Sequence, residues 1–203
     1  MILLVLFVGI NPGVLSATVG HHFAHPSNRF YKALHGSGLT GERVDPSEDY
    51  TLPDRYNIGI TNLVDRPSAS ADQLKKAEFR ESTPALLQRI VKYRPRIVCF
   101  VGMGMYTEVE KIFDEKAKDT ESPKKKLKRE IVPGLRPYKL VYPEKDAGPV
   151  EESLFFSSPS TSGLAAAYQE KDLIQLYSEL RKLVCAHKDK TIGTSAMQIV
   201  PTP

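Results

Sequence analysis

The sequence predicts an α/β domain in three layers, a central and mostly parallel sheet of four to five strands with helices on both faces. Three observations carry this. Short apolar runs recur at residues 1–8, 58–61, 97–101 and 154–156. Stretches of helical period separate them, and connections of that length join parallel rather than hairpin-paired strands. Each run stops at a turn rich in Gly, Pro, Asn or Ser, as strands do when a parallel sheet delivers loops to its carboxyl edge, where open α/β folds bind ligands.

The first strand is the run Met1-Ile2-Leu3-Leu4-Val5-Leu6-Phe7-Val8, ended by Gly9-Ile10-Asn11-Pro12-Gly13. It is short for a membrane span, which needs about twenty apolar residues, and it has no basic leader, so no membrane partner is expected. Residues 16–26 are rich in His, with Gly20 among them, and read as loop. A helix is expected over 27–34, with Ser27 as N-cap and Phe30, Ala33 and Leu34 on one face. Residues 41–56 read as polar and irregular. The second strand, 58–61, leaves through Asn62-Leu63-Val64-Asp65-Arg66-Pro67. A helix follows over 74–93, with Leu86, Leu87, Ile90 and Val91 as its apolar stripe and Arg94-Pro95 as its stop. The third strand, 97–101, passes through Gly102-Met103-Gly104 into a helix running toward Phe113. Residues 114–150 hold Lys124-Lys125-Lys126-Leu127-Lys128-Arg129 and recurrent Pro and Gly, and read as an exposed basic insertion, disordered in part. The last strand feeds Ser157-Ser158-Pro159-Ser160-Thr161-Ser162-Gly163-Leu164. Leu173, Ile174, Leu176, Tyr177, Leu180 and Val184 give the closing helix its stripe. One domain is therefore expected over 1–187, with 188–203 a disordered tail.

The chain has 203 residues and a net charge of +4, a modest excess that suits a nucleic-acid partner without requiring one. Two cysteines, Cys99 and Cys185, cannot build a disulfide framework or a four-thiolate metal site, and Cys99 falls within a core strand, so a reducing compartment is expected. No Gly-x-Gly-x-x-Gly follows the first strand and no Gly-Lys-Ser/Thr is present, which removes the usual dinucleotide and phosphoryl-transfer readings. His21, His22 and His25 cluster, yet no cysteine or acidic residue stands near them at ligand spacing, so neither a metal nor another cofactor is expected.

The chemistry must come from three loops that the topology gathers at one sheet edge: 9–23, 62–68 and 157–164. Asn11 sits on a stiff Pro-Gly turn and carries both a donor and an acceptor; it either ties down its own turn or orients one water or base edge. Phe23 either stacks on a planar ligand or plugs the core beneath the loop. Leu164, after Pro-Ser-Thr-Ser-Gly, is either an exposed apolar wedge of the kind that opens DNA or a contact capping the next helix.

Together these segments resemble the mismatch-specific thymine/uracil DNA glycosylases, the double-strand-specific branch of the uracil-DNA glycosylase superfamily. The resemblance rests on Gly9-Ile10-Asn11-Pro12-Gly13, on Gly20-His21-His22-Phe23 and His25-Pro26-Ser27-Asn28-Arg29-Phe30-Tyr31, and on Tyr56-Asn57-Ile58-Gly59-Ile60-Thr61-Asn62-Leu63-Val64-Asp65-Arg66-Pro67. It continues through Glu78-Phe79-Arg80-Glu81 and Tyr93-Arg94-Pro95-Arg96-Ile97 to Pro159-Ser160-Thr161-Ser162-Gly163-Leu164. It covers roughly residues 5–185, and the order and separation of the motifs are more specific than any one of them.

The resemblance implies a uracil-DNA glycosylase-like fold and a monofunctional, mismatch-specific enzyme that initiates base-excision repair. It would flip uracil, with thymine the further candidate, out from opposite guanine and hydrolyse the N-glycosidic bond. Asn11 would hold the water that attacks C1′, with Ser68 helping to hold it. Phe23 would stack on the flipped base with His22 beside it, Asn62 would meet the pyrimidine edge, and backbone N–H groups around Ile10 and Phe23 would bind its carbonyls. Ser160 would grip a phosphate, and Gly163 would carry Leu164 into the gap left in the duplex. The competing expectation is a non-catalytic module on the same fold that binds mismatched or damaged DNA. Met103 stands where relatives carry a Lys, which puts one phosphate contact in doubt. The Thr61-Asn62 pair and the insertion suggest a eukaryotic source and hence a nucleus. A monomer on double-stranded DNA bearing a G·U or G·T mismatch is expected.

Overall fold

The computed structural model describes residues 2–118, 132–143 and 148–201. The basic run from Lys124 to Arg129 lies outside the described residues. Six strands form one sheet in the order β2-β1-β3-β5-β4-β6. These are β1 (Val5–Gly9), β2 (Ile58–Asn62), β3 (Ile97–Val101), β4 (Gly134–Val141), β5 (Glu152–Ser158) and β6 (Gln198–Ile199). The pairs β1·β2, β1·β3 and β3·β5 are parallel, β4 runs antiparallel to β5, and β6 is parallel to β4.

The helices are α1 (Val14–Val19), α2 (Phe30–Gly36), α3 (Leu52–Tyr56), α4 (Lys76–Tyr93), α5 (Met103–Lys118) and α6 (Glu170–Lys188). Strand side chains alternate between faces, and two cores follow from that alternation. Leu6, Val8, Val98 and Phe100 face α4 and α5. Val5, Phe7, Ile97 and Cys99 face α2, α3 and α6. The three central strands are buried on both faces, which is why they read as unbroken apolar runs. Among the described residues, no helix is long and apolar enough to cross a membrane.

Four expectations are corrected. The sheet has six strands rather than four to five, because β4 lies inside the expected insertion and β6 inside the expected tail. The inward positions of β4 include Arg136 and Tyr138, whose polar ends reach Glu110 at 3.1 Å and Asp114 at 2.7 Å on α5. The tail docks: Val200 is buried and its N–H bonds the Lys139 carbonyl at 2.8 Å. Residues 41–56 are ordered as a 3-10 turn at Pro46–Thr51, capped by Asp45, followed by α3. Finally, α2 starts at Phe30 and not at 27. The Asn28 side chain accepts the Phe30 N–H at 3.0 Å, while the Ser27 hydroxyl pairs with His25 Nδ1 at 2.8 Å.

Candidate active site

All three expected loops reach the carboxyl edge of the sheet, where they line one cleft of about 1070 Å³. Parallel pairing of β1 with β2 continues past both strand ends. The Leu63 and Val64 N–H groups each bond a carbonyl of the first loop, Gly9 and Ile10, at 2.9 Å, and the Ser68 N–H bonds Pro12 O at 3.1 Å. Gly13 and Ser68 form an isolated parallel bridge. Asn11 therefore stands on backbone held from both sides, in a loop that Pro12 stiffens further.

The Asn11 side chain is oriented as firmly as its backbone. Its Nδ2 donates to the Arg66 carbonyl and to Ser68 Oγ, both at 2.8 Å. Ser68 Oγ in turn donates to the Ser70 carbonyl at 2.8 Å, and Ser68 is buried. With Nδ2 occupied, Oδ1 is the acceptor that Asn11 offers to the cleft. Ser68, expected to help hold the water, meets the Asn11 amide, and its own hydroxyl hydrogen is committed to the Ser70 carbonyl.

Phe23 shares this cleft and also packs on the core beneath the loop. Its ring packs on Phe30 with centroids 4.2 Å apart, and it also forms part of the cleft wall. It adopts φ 53°, a left-handed conformation unusual for an aromatic residue. Beneath it Gly9 is required by space. A Cβ there would lie 2.5 Å from Asn62 Oδ1 and 3.3 Å from Phe23 Cζ, so the Asn62 amide and the Phe23 ring meet over the glycine. Ile10 lines the cleft and packs against the core on the α4 and α5 face.

The histidine pair does have an acidic partner, 28 residues away in sequence. Asp49 accepts from the His22 N–H at 2.7 Å and meets His21 Nδ1 at 3.0 Å. Tyr31 donates to the His22 carbonyl at 2.8 Å. His22 lines the cleft; burial pulls its imidazole below its ordinary value, with Asp49 opposing and His21 adding to the effect. Among the described residues, no group of three His, Cys, Asp or Glu side chains is placed to hold a metal ion.

The third loop closes the far side of the cleft. Leu164 is 89% exposed. Gly163 sits against residue 27: a Cβ would fall 2.3 Å from Ser27 Oγ and 2.9 Å from the Ser27 carbonyl oxygen. Ser160 Oγ accepts the Ser162 N–H at 3.3 Å and lines the cleft.

Three residues support this edge without a role that sequence reading could assign. The Arg29 guanidinium reaches into the third loop, donating to the carbonyls of Ser162, Ala165 and Tyr168 at 3.0–3.3 Å. Arg66 forms a two-pronged pair with Glu78 at 2.9 and 3.0 Å and donates to Gln73 O at 3.1 Å. The bond from Arg66 and the Lys75 N–H hold the Glu78 carboxyl down at about 2. Arg89 ties the end of β2 to α4 through Thr61 Oγ1 and Asn62 O at 2.8 and 2.9 Å. Glu78 at the third position of α4 was the one readable hint, since a carboxylate there commonly reaches back to a helix start. Met103 opens α5 at this edge and brings no charge.

The family model for the uracil DNA glycosylase superfamily matches residues 3–181. A G/U mismatch-specific uracil DNA glycosylase of Schizosaccharomyces pombe (strain 972 / ATCC 24843) is 32% identical over 187 residues, covering 91% of this chain and 51% of the relative. The chain spans about half the length of that curated relative.

Proposed function

The chain belongs to the uracil DNA glycosylase superfamily, and on that premise we propose that it removes uracil paired with guanine in duplex DNA, leaving an abasic site for base-excision repair. The observation that carries the reading is the doubly held Asn11 amide, which leaves Oδ1 facing a cleft shared with Phe23 and Asn62. The G/U mismatch specificity of the Schizosaccharomyces pombe relative supports the choice of base.

A base inside a duplex is out of reach, so it must rotate out at a cost of about a few kcal/mol, least for a mispaired base. Leu164 fills the space it vacates. The flipped pyrimidine lies against Phe23 with its edge toward the Asn62 amide. Asn11 Oδ1 accepts a hydrogen from a water and aims the water oxygen at C1′. The C1′–N1 bond breaks with its electron pair going to the base, which departs as an anion. The sugar passes through an oxocarbenium-like state before the C1′–O bond forms and the water loses its proton to solvent. Backbone donors near the base stabilise the departing charge as an oxyanion hole would. An amide cannot take the water's proton as a carboxylate does, so positioning supplies the rate and turnover is slow. No lysine lines the cleft among the described residues, and the proposed reaction ends at the abasic site. Thymine opposite guanine is the second substrate we propose, action as a monomer the form, and the nucleus the compartment.

The test is a duplex with one G·U pair, incubated with the protein and then treated with alkali to cleave abasic sites. Scission is expected from the parent and not from Asn11→Ala, which still binds. Binding without scission by the parent would replace the enzyme with a mismatch-binding module. Duplexes bearing G·T and A·U pairs, run alongside, read out base and partner preference.

A further inference from the structure

Leu164 is nearly bare of protein contact at its side chain, yet the backbone beneath it is held tightly, and the holding residue lies far away in sequence. Arg29 precedes α2 on the segment that follows the base-pocket loop. Its N–H bonds Thr161 O at 2.9 Å. Its guanidinium donates to Ser162 O, Ala165 O and Tyr168 O at 3.3, 3.0 and 3.1 Å, with Gly163 O a fourth acceptor at 3.5 Å. No carboxylate pairs with Arg29 among the described residues. Gly163 packs so closely on Ser27 that any side chain would collide.

We infer that Arg29 is the positioning residue for duplex opening: by gathering the carbonyls of Ser162, Gly163, Ala165 and Tyr168 around one cation, it fixes Leu164 in its outward place. The inference rests on the proposed reading of Leu164 as the group that fills the duplex. Two physical consequences follow from the arrangement. Carbonyl oxygens turned toward a guanidinium are turned away from DNA, where they would repel phosphate. A loop held at several points also does not fold back when its apolar tip meets water, so the wedge is organised before DNA arrives. Because residues 23–29 carry Phe23 at one end and Arg29 at the other, base pocket and wedge are braced on one segment.

The test compares Arg29→Met, Arg29→Lys and Leu164→Ala by single-turnover excision from two duplexes, one with a G·U pair and one with uracil in an unpaired bubble. A third arm follows the fluorescence of 2-aminopurine placed beside the G·U pair, which reports opening without cleavage. Arg29→Met is expected to slow excision from the G·U duplex by about ten- to a hundredfold, to leave the bubble within about twofold, and to abolish the fluorescence rise. Arg29→Lys, which keeps the charge but offers one compact donor group, falls between. In the Leu164→Ala background Arg29→Met should add no further loss on the G·U duplex, which a general folding defect could not mimic. Equal losses on bubble and duplex, or additive losses in the double variant, overturn the inference. A parent protein that raises fluorescence but cleaves neither duplex defeats the proposed enzyme alone. In that case loss of the rise in Arg29→Met still supports the brace, and its persistence overturns it.

Discussion

Ser68→Ala separates two accounts of how Asn11 acts. In one, the hydroxyl itself holds the attacking water. In the other, which the geometry favours, it orients the amide that does so: Ser68 Oγ accepts from Asn11 Nδ2 at 2.8 Å and passes its own hydrogen to Ser70 O at 2.8 Å. Removing Oγ leaves the amide with the Arg66 carbonyl as its one hydrogen-bond partner among the described residues. A neutral side-chain hydrogen bond contributes about 0.5–1.5 kcal/mol net. If that stabilisation is what favours the productive amide orientation over the flipped one, its loss slows cleavage by about two- to tenfold. Asn11→Ala instead deletes the acceptor, and losing one preorganised polar group of this kind costs about a hundred- to a thousandfold. Single-turnover excision from a G·U duplex at saturating protein measures both, with mismatch affinity measured separately and unchanged in Ser68→Ala. In the Asn11→Ala background, Ser68→Ala should cost nothing more. A Ser68→Ala defect as deep as that of Asn11→Ala, or one that persists without Asn11, would place the hydroxyl on the water and refute the orienting role.

Gly9→Ala drives a methyl group to within 2.5 Å of Asn62 Oδ1, so the protein should fold but bind the G·U duplex more weakly, with a raised KM; unchanged KM refutes the crossing of Asn62 and Phe23 over this glycine. The Glu78 carboxyl is held at about 2 in the folded chain and returns to its ordinary value near 4.5 when unfolded. Its contribution is therefore complete above pH 4.5 and disappears as pH falls toward 2. The melting temperature of the parent should drop more steeply across that window than that of Glu78→Gln, and parallel curves would deny the Arg66–Glu78 pair a folded-state role. Deleting residues 196–203 unpairs β6 and removes the buried Val200 side chain, which should destabilise the protein by about 1.5–3 kcal/mol; an unchanged denaturant midpoint would show that the segment does not dock.

What the sequence revealed, and what it hid, follows from how each element satisfies its buried groups. The strands β1, β3 and β5 were legible because both faces meet aliphatic or aromatic partners, leaving a continuous apolar signature. Strand β4 was not, because Arg136 and Tyr138 occupy inward positions and are made tolerable by partners such as Glu110 and Asp114, whose contribution exists in three dimensions alone. Strand β6, two residues long, carries too little pattern to read. At the edge of the cleft, Asn11, Phe23, Asn62, Ser68, Ser160 and Leu164 were all placed together by their motifs, and the structure brings them to one cleft. The parts that hold them stayed hidden for a chemical reason. The Arg66 carbonyl beneath Asn11 and the carbonyls around Arg29 are main-chain atoms, and any residue type supplies them. Asp49 escaped notice because a carboxylate 27 or 28 residues from its histidines forms no local spacing.

The disposition of charge bears on how a mismatch would be chosen. No lysine or arginine lines the cleft among the described residues; its ionisable lining is three histidines and Asp72. Arg29, Arg66 and Arg89, which brace its loops, are engaged with carbonyls, with Glu78 and with Thr61. On the proposed function, coulombic attraction from the described cleft lining would contribute little to pulling a nucleotide out of the helix, and the drive to flip would come from contact with Phe23 and from Leu164 taking the vacated place. Such a drive is modest beside a Watson–Crick pair with its stacking intact. Where the pair is already weakened, the balance tips. On the proposed function, a weak pull on the base discriminates between paired and mispaired uracil before any contact reads the base itself. Adding a cation at the rim, for example Ser160→Lys, should then raise activity on A·U pairs proportionally more than on G·U pairs. A uniform gain on both would mean that the selection is made in the pocket.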